Sequence, residues 1–355
     1  MRNLCGKCLL VTALLLILLL LPWKSHAQTP KPRTIFKVSA EEVVMHVRFT
    51  DRVGKSISDI RPEEVKVFDD RVEQKVQRVF TSQEPFDIAL LLDSSPSTVD
   101  NLEQIRYQSA QLVRQLSEQN RLLLLTFDDN VYIDSDWTSS PDKVEEAVWQ
   151  MRTNQKANHT VLYEAVALAA QKKFTRDAPR KAMIVYTDGV DEGSHGISER
   201  DSVKIIEESG IIAYCIQYDS RDYYRHLSNP MPRSPTDPNW EPPVGSTGTK
   251  VGPIFVGRNS SARDRAEYVA QTKYDHAKKY LMNLTQAGGG QYFEMLQVRD
   301  LSTAYAKIID ELSQFSTVTY IPARKQKDGQ FHRVKIATTR EGVAVQMTRQ
   351  GYWAK

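Results

Sequence analysis

The 355-residue chain has 47 Lys+Arg against 44 Asp+Glu, but the whole excess (Arg2, Lys7 and Lys24) sits in its first 27 residues, which hold no acid. The other 328 residues therefore carry zero formal net charge, which removes the electrostatic case for a nucleic-acid partner. Cys5 and Cys8 lie in the same leading segment, so Cys215 is alone in the remainder, no internal disulfide can form there, and stability rests on packing, with or without a bound ion.

In chain order, Arg2 and Lys7 precede an apolar run from Leu9 to Leu21, followed by Pro22 and the small-residue end Ser25-His26-Ala27. This is the layout of a secretory signal peptide, residues 1–27, cut after Ala27. The run has 13 residues, short of the roughly 20 that cross a bilayer, so no integral span is expected after cleavage. A strand-rich unit over 36–82 comes next, with EEVVMHVRF (41–49), EEVKVFDD (63–70) and VEQKVQRVF (72–80) alternating imperfectly around the turn DRVGK (51–55).

From Phe86 the period changes. FDIALLLD is apolar except at its ends, as in a strand covered on both faces. A helix is expected over roughly 99–118, with Leu102, Ile105, Leu112, Val113 and Leu116 on one side. RLLLLTF (121–127), a short VYID strand, a helix opened by Ser140-Pro141, a helix over VLYEAVALAAQKKF (161–174), KAMIVYTD (181–188), VKIIEES (203–209) and IIAYCIQYD (211–219) follow. Strands alternating with helices predict an α/β fold, a doubly wound and mostly parallel sheet over 85–316. Residues 220–262 interrupt it with a stretch rich in Pro, Ser, Gly and Thr and lacking helical or strand period, either a functional flap or a tolerated disordered insertion. A helix over 263–286 closed by AGGG, the edge strand QYFEM and a helix over 301–315 complete the α/β part. TVTYIP, FHRVKIAT and VAVQMT make a β tail over 317–355. The two flanking β segments are expected to form a smaller β domain.

In an open α/β sheet, sites collect at the carboxyl ends of the strands. Strand 86–92 ends in Asp93 with Ser95 and Ser97 behind it, Thr160 stands at the start of helix 161–174, and strand 181–187 ends in Asp188-Gly189. Alone, the stretch from Asp93 to Ser97 is a turn cap and TDG a common turn. Together the five side chains offer two carboxylates and three hydroxyls, with no histidine or thiolate. That donor set selects a hard cation, Mg2+ or Mn2+, over zinc. Helix N-termini beside Ser97 and Thr160 favour an anionic group bound above the ion. Asp128 and Asp129 read as a tight turn into VYID.

The pattern resembles the von Willebrand factor type A domain and its metal-ion-dependent adhesion site. The Asp-x-Ser-x-Ser stretch of that family is matched by Asp93, Ser95 and Ser97, its distant threonine by Thr160 and its second aspartate by Asp188. Pro96 inside the serine loop and His159 before the threonine depart from the usual pattern without removing a ligand. The resemblance implies that the hydroxyls coordinate the metal directly and the aspartates act largely through water. A bacterial group of secreted proteins related to this family is also similar in placing a strand-rich unit before the domain and closing on Gly-Tyr, as in RQGYWAK.

The resemblance implies an exported, metal-dependent protein-binding or adhesion module, at the periplasm, cell surface or outside the cell, whose ion takes an Asp or Glu of a partner protein. The alternative is a structural cell-envelope protein with a vestigial or purely stabilising metal site. No enzyme is expected: Ser-His-Asp order, HExxH and paired cysteines are lacking, and no histidine has a positional argument for activating Ser95.

Overall fold

The computed structural model describes residues 42–81, 84–116, 120–157, 159–174, 178, 180–228, 262–323 and 328–354. The expected signal segment and residues 229–261 of the Pro-rich stretch lie outside them. Among the described residues no helix is long and apolar enough to cross a membrane.

The first strands are β1 (Val43–Thr50), β2 (Val65–Asp69), β3 (Val72–Gln74) and β4 (Val76–Phe80). Within this group only β2 and β3 pair with each other. After the α/β part come β11 (Ser316–Tyr320), β12 (Phe331–Thr338), β13 (Ala344–Met347) and β14 (Gly351–Trp353), and the two groups interleave. One sheet has the order β13-β1-β11-β4 and a second the order β14-β12-β2-β3. The pairings that join the two chain ends are antiparallel, with Val43 opposite Tyr320 and Val65 opposite Thr338. Met45, Val47, Phe49 and Val318 of one sheet meet Val67, Val334 and Ile336 of the other in one apolar core, which supplies the inward face that each alternating strand needs.

Between these groups lies the α/β part. Its strands are β5 (Asp87–Asp93), β6 (Arg121–Phe127), β7 (Val131–Thr138), β8 (Lys181–Thr187), β9 (Ile212–Tyr218) and β10 (Tyr292–Met295). They form one sheet of order β10-β9-β8-β5-β6-β7. All neighbours are parallel except β7, which folds back antiparallel on β6. β7 is longer than the expected VYID because its outer half pairs with β6 through irregular register. The helices are α1 (Leu102–Gln115), α2 (Pro141–Gln150), α3 (Leu162–Leu168, running into a π turn over Ala169–Lys173), α4 (Glu199–Ser209), α5 (Arg221–Ser228), α6 (Ala262–Gly288) and α7 (Leu301–Gln314). Ile88, Leu90 and Leu92 of β5 point into a core with α1, α2 and α7, while Ala89 and Leu91 point into a second core with α3 and α6. Two covered faces explain why the strand reads as a continuous apolar run.

Two local differences have clear causes. Residues 96–101 are a 3-10 turn, so the helix expected from 99 begins at Leu102. Pro96 sets the turn, and the side chain and amide of Thr98 both bond to Ser95 O. Residues 221–228 are helical although the sequence shows no helical period there. Two turns are too short to display one, and the helix is held by the Arg221–Asp219 ion pair (2.7 Å) and by Tyr224 packed against Ala270 and Ala277 of α6. The glycine run after α6 has a packing reason beyond closing the helix: a Cβ on Gly290 would lie 2.1 Å from Ala213 O.

Two buried side chains, Arg180 and His46, and the half-buried Arg349 join the sandwich to the amino-terminal edge of the parallel sheet. Arg180 is 1% exposed. It donates to the carbonyls of Thr81, Glu84 (2.7 Å), Leu312 (3.4 Å) and Phe315 (2.9 Å), and lies over the Phe86 ring at 4.0 Å. Arg349 donates to the carbonyls of Glu207 and Val44. His46 of β1 bonds Gly210 O through Nε2 (2.9 Å) and Thr317 Oγ1 through Nδ1 (2.9 Å). A carbonyl only accepts, so Nε2 carries the proton and the neutral ring accepts at Nδ1 from Thr317.

Burial pushes the His46 pKa down from 6.5 to about 3. A depressed folded pKa means that the unfolded chain takes up the proton first, so the ring's contribution to stability is complete above pH 6.5 and declines as pH falls from there toward 3. The difference in urea unfolding free energy between the wild type and His46→Gln should therefore shift against the wild type by about 1.4 kcal/mol per pH unit between pH 6.5 and pH 4.5.

Candidate metal centre

The chain passes from β5 outward to β6 and β7, then returns to lay β8 on the other side of β5. The carboxyl ends of β5 and β8 therefore flank the point where the winding reverses, the place where open α/β sheets leave a crevice. Asp93 ends β5, and Asp188 follows the last residue of β8.

Both carboxylates are buried, at 0% and 1% exposure. Asp93 Oδ1 accepts from the Ser95 amide (2.9 Å) and its Oδ2 from the Thr187 hydroxyl (2.6 Å). Asp188 Oδ1 accepts from the Val190 amide (2.9 Å), its Oδ2 from the Ser97 hydroxyl (3.2 Å), and Ser220 adds a further hydroxyl bond. Ser95 Oγ and Ser97 Oγ lie 3.0 Å apart. These partners are hydroxyls and backbone amides, with no lysine or arginine among them. Burial raises the pKa of Asp93 against the pull of its Ser95 and Thr187 bonds, and the charge of Asp128 raises it further. Burial, then the charge of Asp93, pushes Asp188 up to about 7.

Thr160 reaches the same edge by a different route. The amide of Val161 bonds Asp128 O (2.9 Å), and Thr160 O accepts from the Glu192 and Gly193 amides (3.1 and 3.0 Å). The first amides of α3 are met by the loop after Asp188, Tyr163 N by Asp191 Oδ2 (2.8 Å) and Glu164 N by Ser194 Oγ (3.2 Å). Glu164 Oε1 returns the contact by accepting from His195 and Gly196 (3.0 and 3.1 Å). The approach is close enough that a Cβ on Gly193 would sit 2.9 Å from His159 Cβ. The five expected residues thus share one edge. Asp93, Ser95, Ser97 and Asp188 belong to one continuous set of hydrogen bonds and interacting charges, and Thr160 is tied in through its carbonyl.

Several residues of this network are not apparent from the sequence pattern. Thr187 bonds Asp93, and Tyr218 at the end of β9 has its hydroxyl 2.7 Å from Ser97 Oγ. Asp128 forms the turn expected of it, with Oδ1 accepting from Asn130 N at 3.1 Å, but it is buried and its charge acts on Asp93. Asp129 also serves the loop, accepting from the His159 amide (2.7 Å). The one available signal was position: each follows or ends a strand whose carboxyl end lies on this edge.

A second group of ligand-type atoms, from Asp69, Asp70 and His332, lies in the β-sandwich, within 4.8 Å of one another. There the His332 ring is held between Asp70 Oδ2 (2.8 Å) and Asp328 Oδ1 (3.1 Å), and Tyr320 and Tyr352 donate to Asp69. Burial opposes charge on this ring, but the bonds to Asp328 and Asp70 prevail and its pKa is raised. This is an internally satisfied set that holds the β2–β3 turn against β12.

The fold and site define a class: a doubly wound α/β domain carrying a hydroxyl–carboxylate cluster at its switch point. Residues 87–233 match the family model of the von Willebrand factor type A domain. No curated protein matches the chain. Among solved structures it is similar to the conserved hypothetical protein BatB from Bacteroides thetaiotaomicron, at 18% identity and a TM-score of 0.43, covering 64% of this chain and 98% of that one. It is also similar to proximal thread matrix protein 1 of the mussel byssus, in a structure whose MIDAS motif is occupied by zinc, at 14% identity and a TM-score of 0.45, covering 69% of this chain and 49% of that one. A von Willebrand factor type A protein from Catenulispora acidiphila matches at 9% identity and a TM-score of 0.41, over 90% of this chain and 75% of that one.

The donor set fits a divalent cation, since it is all oxygen and its two carboxylates are desolvated without a cationic side chain beside them. A carboxyl whose folded pKa is raised holds its proton more tightly when folded, so stability falls as the pH rises from 3.8 toward 7. Asp188→Asn cannot ionise. In chelator at pH 8 it should unfold at higher urea than the wild type, by on the order of 2 kcal/mol, and the gap should close at pH 4.

Proposed function

We propose that the chain is an exported, metal-dependent protein-binding module whose site is Asp93, Ser95, Ser97, Thr160 and Asp188. The observation that carries this reading is the pair of buried carboxylates, bridged by hydroxyls, with the Asp188 pKa pushed up to about 7. A site that strains to hold two negative charges is suited to a hard cation such as Mg2+ or Mn2+. Ser95, Ser97 and Thr160 would provide neutral oxygens to it, and Asp93 and Asp188 would balance its charge. When bound, the cation supplies an electrophilic position for a carboxylate of a partner protein.

The protein's own residues hold that position in place. Asp93 holds the serine loop through the Ser95 amide, and Asp188 holds Ser97. The loop from Asp191 to Gly196 fixes the start of α3 and with it Thr160. Few direct charged ligands leave the cation electron-poor and ready for an acidic side chain from outside. The hydroxyl of Ser95 bonds Ser97 and not a histidine, which favours a binder over a hydrolase acting through a serine nucleophile.

A structural envelope protein in which the ion only steadies loops is the second reading. It draws on the internal bonding of both carboxylates, which already have partners on both oxygens. One calorimetric and pull-down series separates the two. Titration with Mg2+ and Mn2+ should be saturable for the wild type and absent for Asp93→Ala. A partner captured from the native envelope should elute with chelator. Metal binding with chelator-insensitive capture would favour the structural reading, and a folded wild type that binds neither ion would remove the site altogether.

A further inference from the structure

Resting on the site reading above, we propose that Tyr218 is a positioning residue of the metal centre: its hydroxyl donates to Ser97 Oγ and aims that oxygen's remaining lone pair at the cation.

The argument starts from how many bonds a serine hydroxyl can make. It has one proton to give and two lone pairs to offer. Ser97 Oγ has three oxygen neighbours: Asp188 Oδ2 at 3.2 Å, Tyr218 OH at 2.7 Å and Ser95 Oγ at 3.0 Å. With a cation in the site Asp188 would be ionised and could only accept, so the Ser97 proton goes to it, the direction this bond has in the structure. Tyr218 must then be the donor in the shorter bond, which occupies one lone pair. The second lone pair faces Ser95 Oγ, which donates to it here at 3.0 Å; a cation taken by both serines would replace that bond. The order Tyr218 to Ser97 to Asp188 thus fixes both the rotation of the serine hydroxyl and the direction in which it can coordinate.

The setting of Tyr218 supports this role. It is the last residue of β9, beside β8, so its ring emerges on the same edge as Asp188. It is 3% exposed and stacks on Tyr186, with ring centroids 5.1 Å apart and planes at 25°. A ring clamped by stacking holds its hydroxyl in one place, which a flexible donor would not do.

Tyr218→Phe keeps the ring and its stack and removes only the oxygen. Its effect is read against Ser97→Ala and the double variant, in two arms. In Mg2+ titrations, Tyr218→Phe should raise the Kd about tenfold, the scale of losing an outer partner of a metal ligand. In the Ser97→Ala background the same change should have no further effect. In chelator, urea unfolding of the four proteins should show coupling between the two positions, with the double variant less destabilised than the sum of the singles.

A tyrosine that merely fills space would give independent effects in both arms, and that additivity would overturn the proposal. So would a Tyr218→Phe protein that binds Mg2+ as tightly as the wild type, while leaving the site reading intact. Coupling in chelator with no Mg2+ binding by the wild type would instead overturn the site reading, and the positioning role with it. Coupling in both arms is the expected result.

Discussion

The constraint on which the site depends is the burial of two like charges at the ends of neighbouring parallel strands. The β5–β8 pairing runs in register to Leu92 and Tyr186, and the next residues place the Thr187 hydroxyl on Asp93. Asp188 follows at once. Removing carboxylates from water is costly unless they are bonded or neutralised, and here the compensation comes from short hydroxyl side chains and loop amides. That choice has a chemical consequence. A lysine or arginine in the same place would neutralise the pair permanently, whereas hydroxyls bond it without cancelling its negative charge.

The surrounding loops can be understood as means of holding those hydroxyls still. The 3-10 turn after Ser95 is closed on itself by Thr98, and Ser94 is tied to Phe127 O at the end of β6. Val161 leans on Asp128, and the Asp191–Gly196 loop caps α3. Apart from the Thr98 bond, these join segments that belong to different strand ends, so the crevice is held by the whole edge and no single loop owns it. The sandwich attaches at the opposite edge through Arg180, Arg349 and His46.

Much of this was legible in the residue order. β5, β6, β8 and β9 read as buried strands because both of their faces are covered, and a run such as LLLL has no other use in a polar chain. Asp93, Ser95, Ser97 and Asp188 stood out because polar residues ended such runs abruptly. Thr160 was legible as a hydroxyl at the start of the helix over 161–174, and the family likeness added to that reading, but nothing in the local sequence shows that a loop after β8 will bind the turn before α3. Helix α5 was missed because two turns carry no measurable period and its packing surface, Ala270 and Ala277, lies on a distant helix.

The sequence by itself determined which segments are strands and helices, that the sheet is doubly wound, and which oxygen donors stand at strand ends. Those are consequences of local periodicity and of where apolar runs stop. Only the tertiary structure decided that the first and last β segments form one sandwich, with β1 paired to β11 and β2 to β12 across more than two hundred residues. Alternation specifies that a strand has an inward face but does not name the strand it will pair with. Only the structure, likewise, brought Tyr218 to Ser97, because a hydrogen bond between residues 121 positions apart depends on strand order and register, and neither is written in the local sequence around either residue.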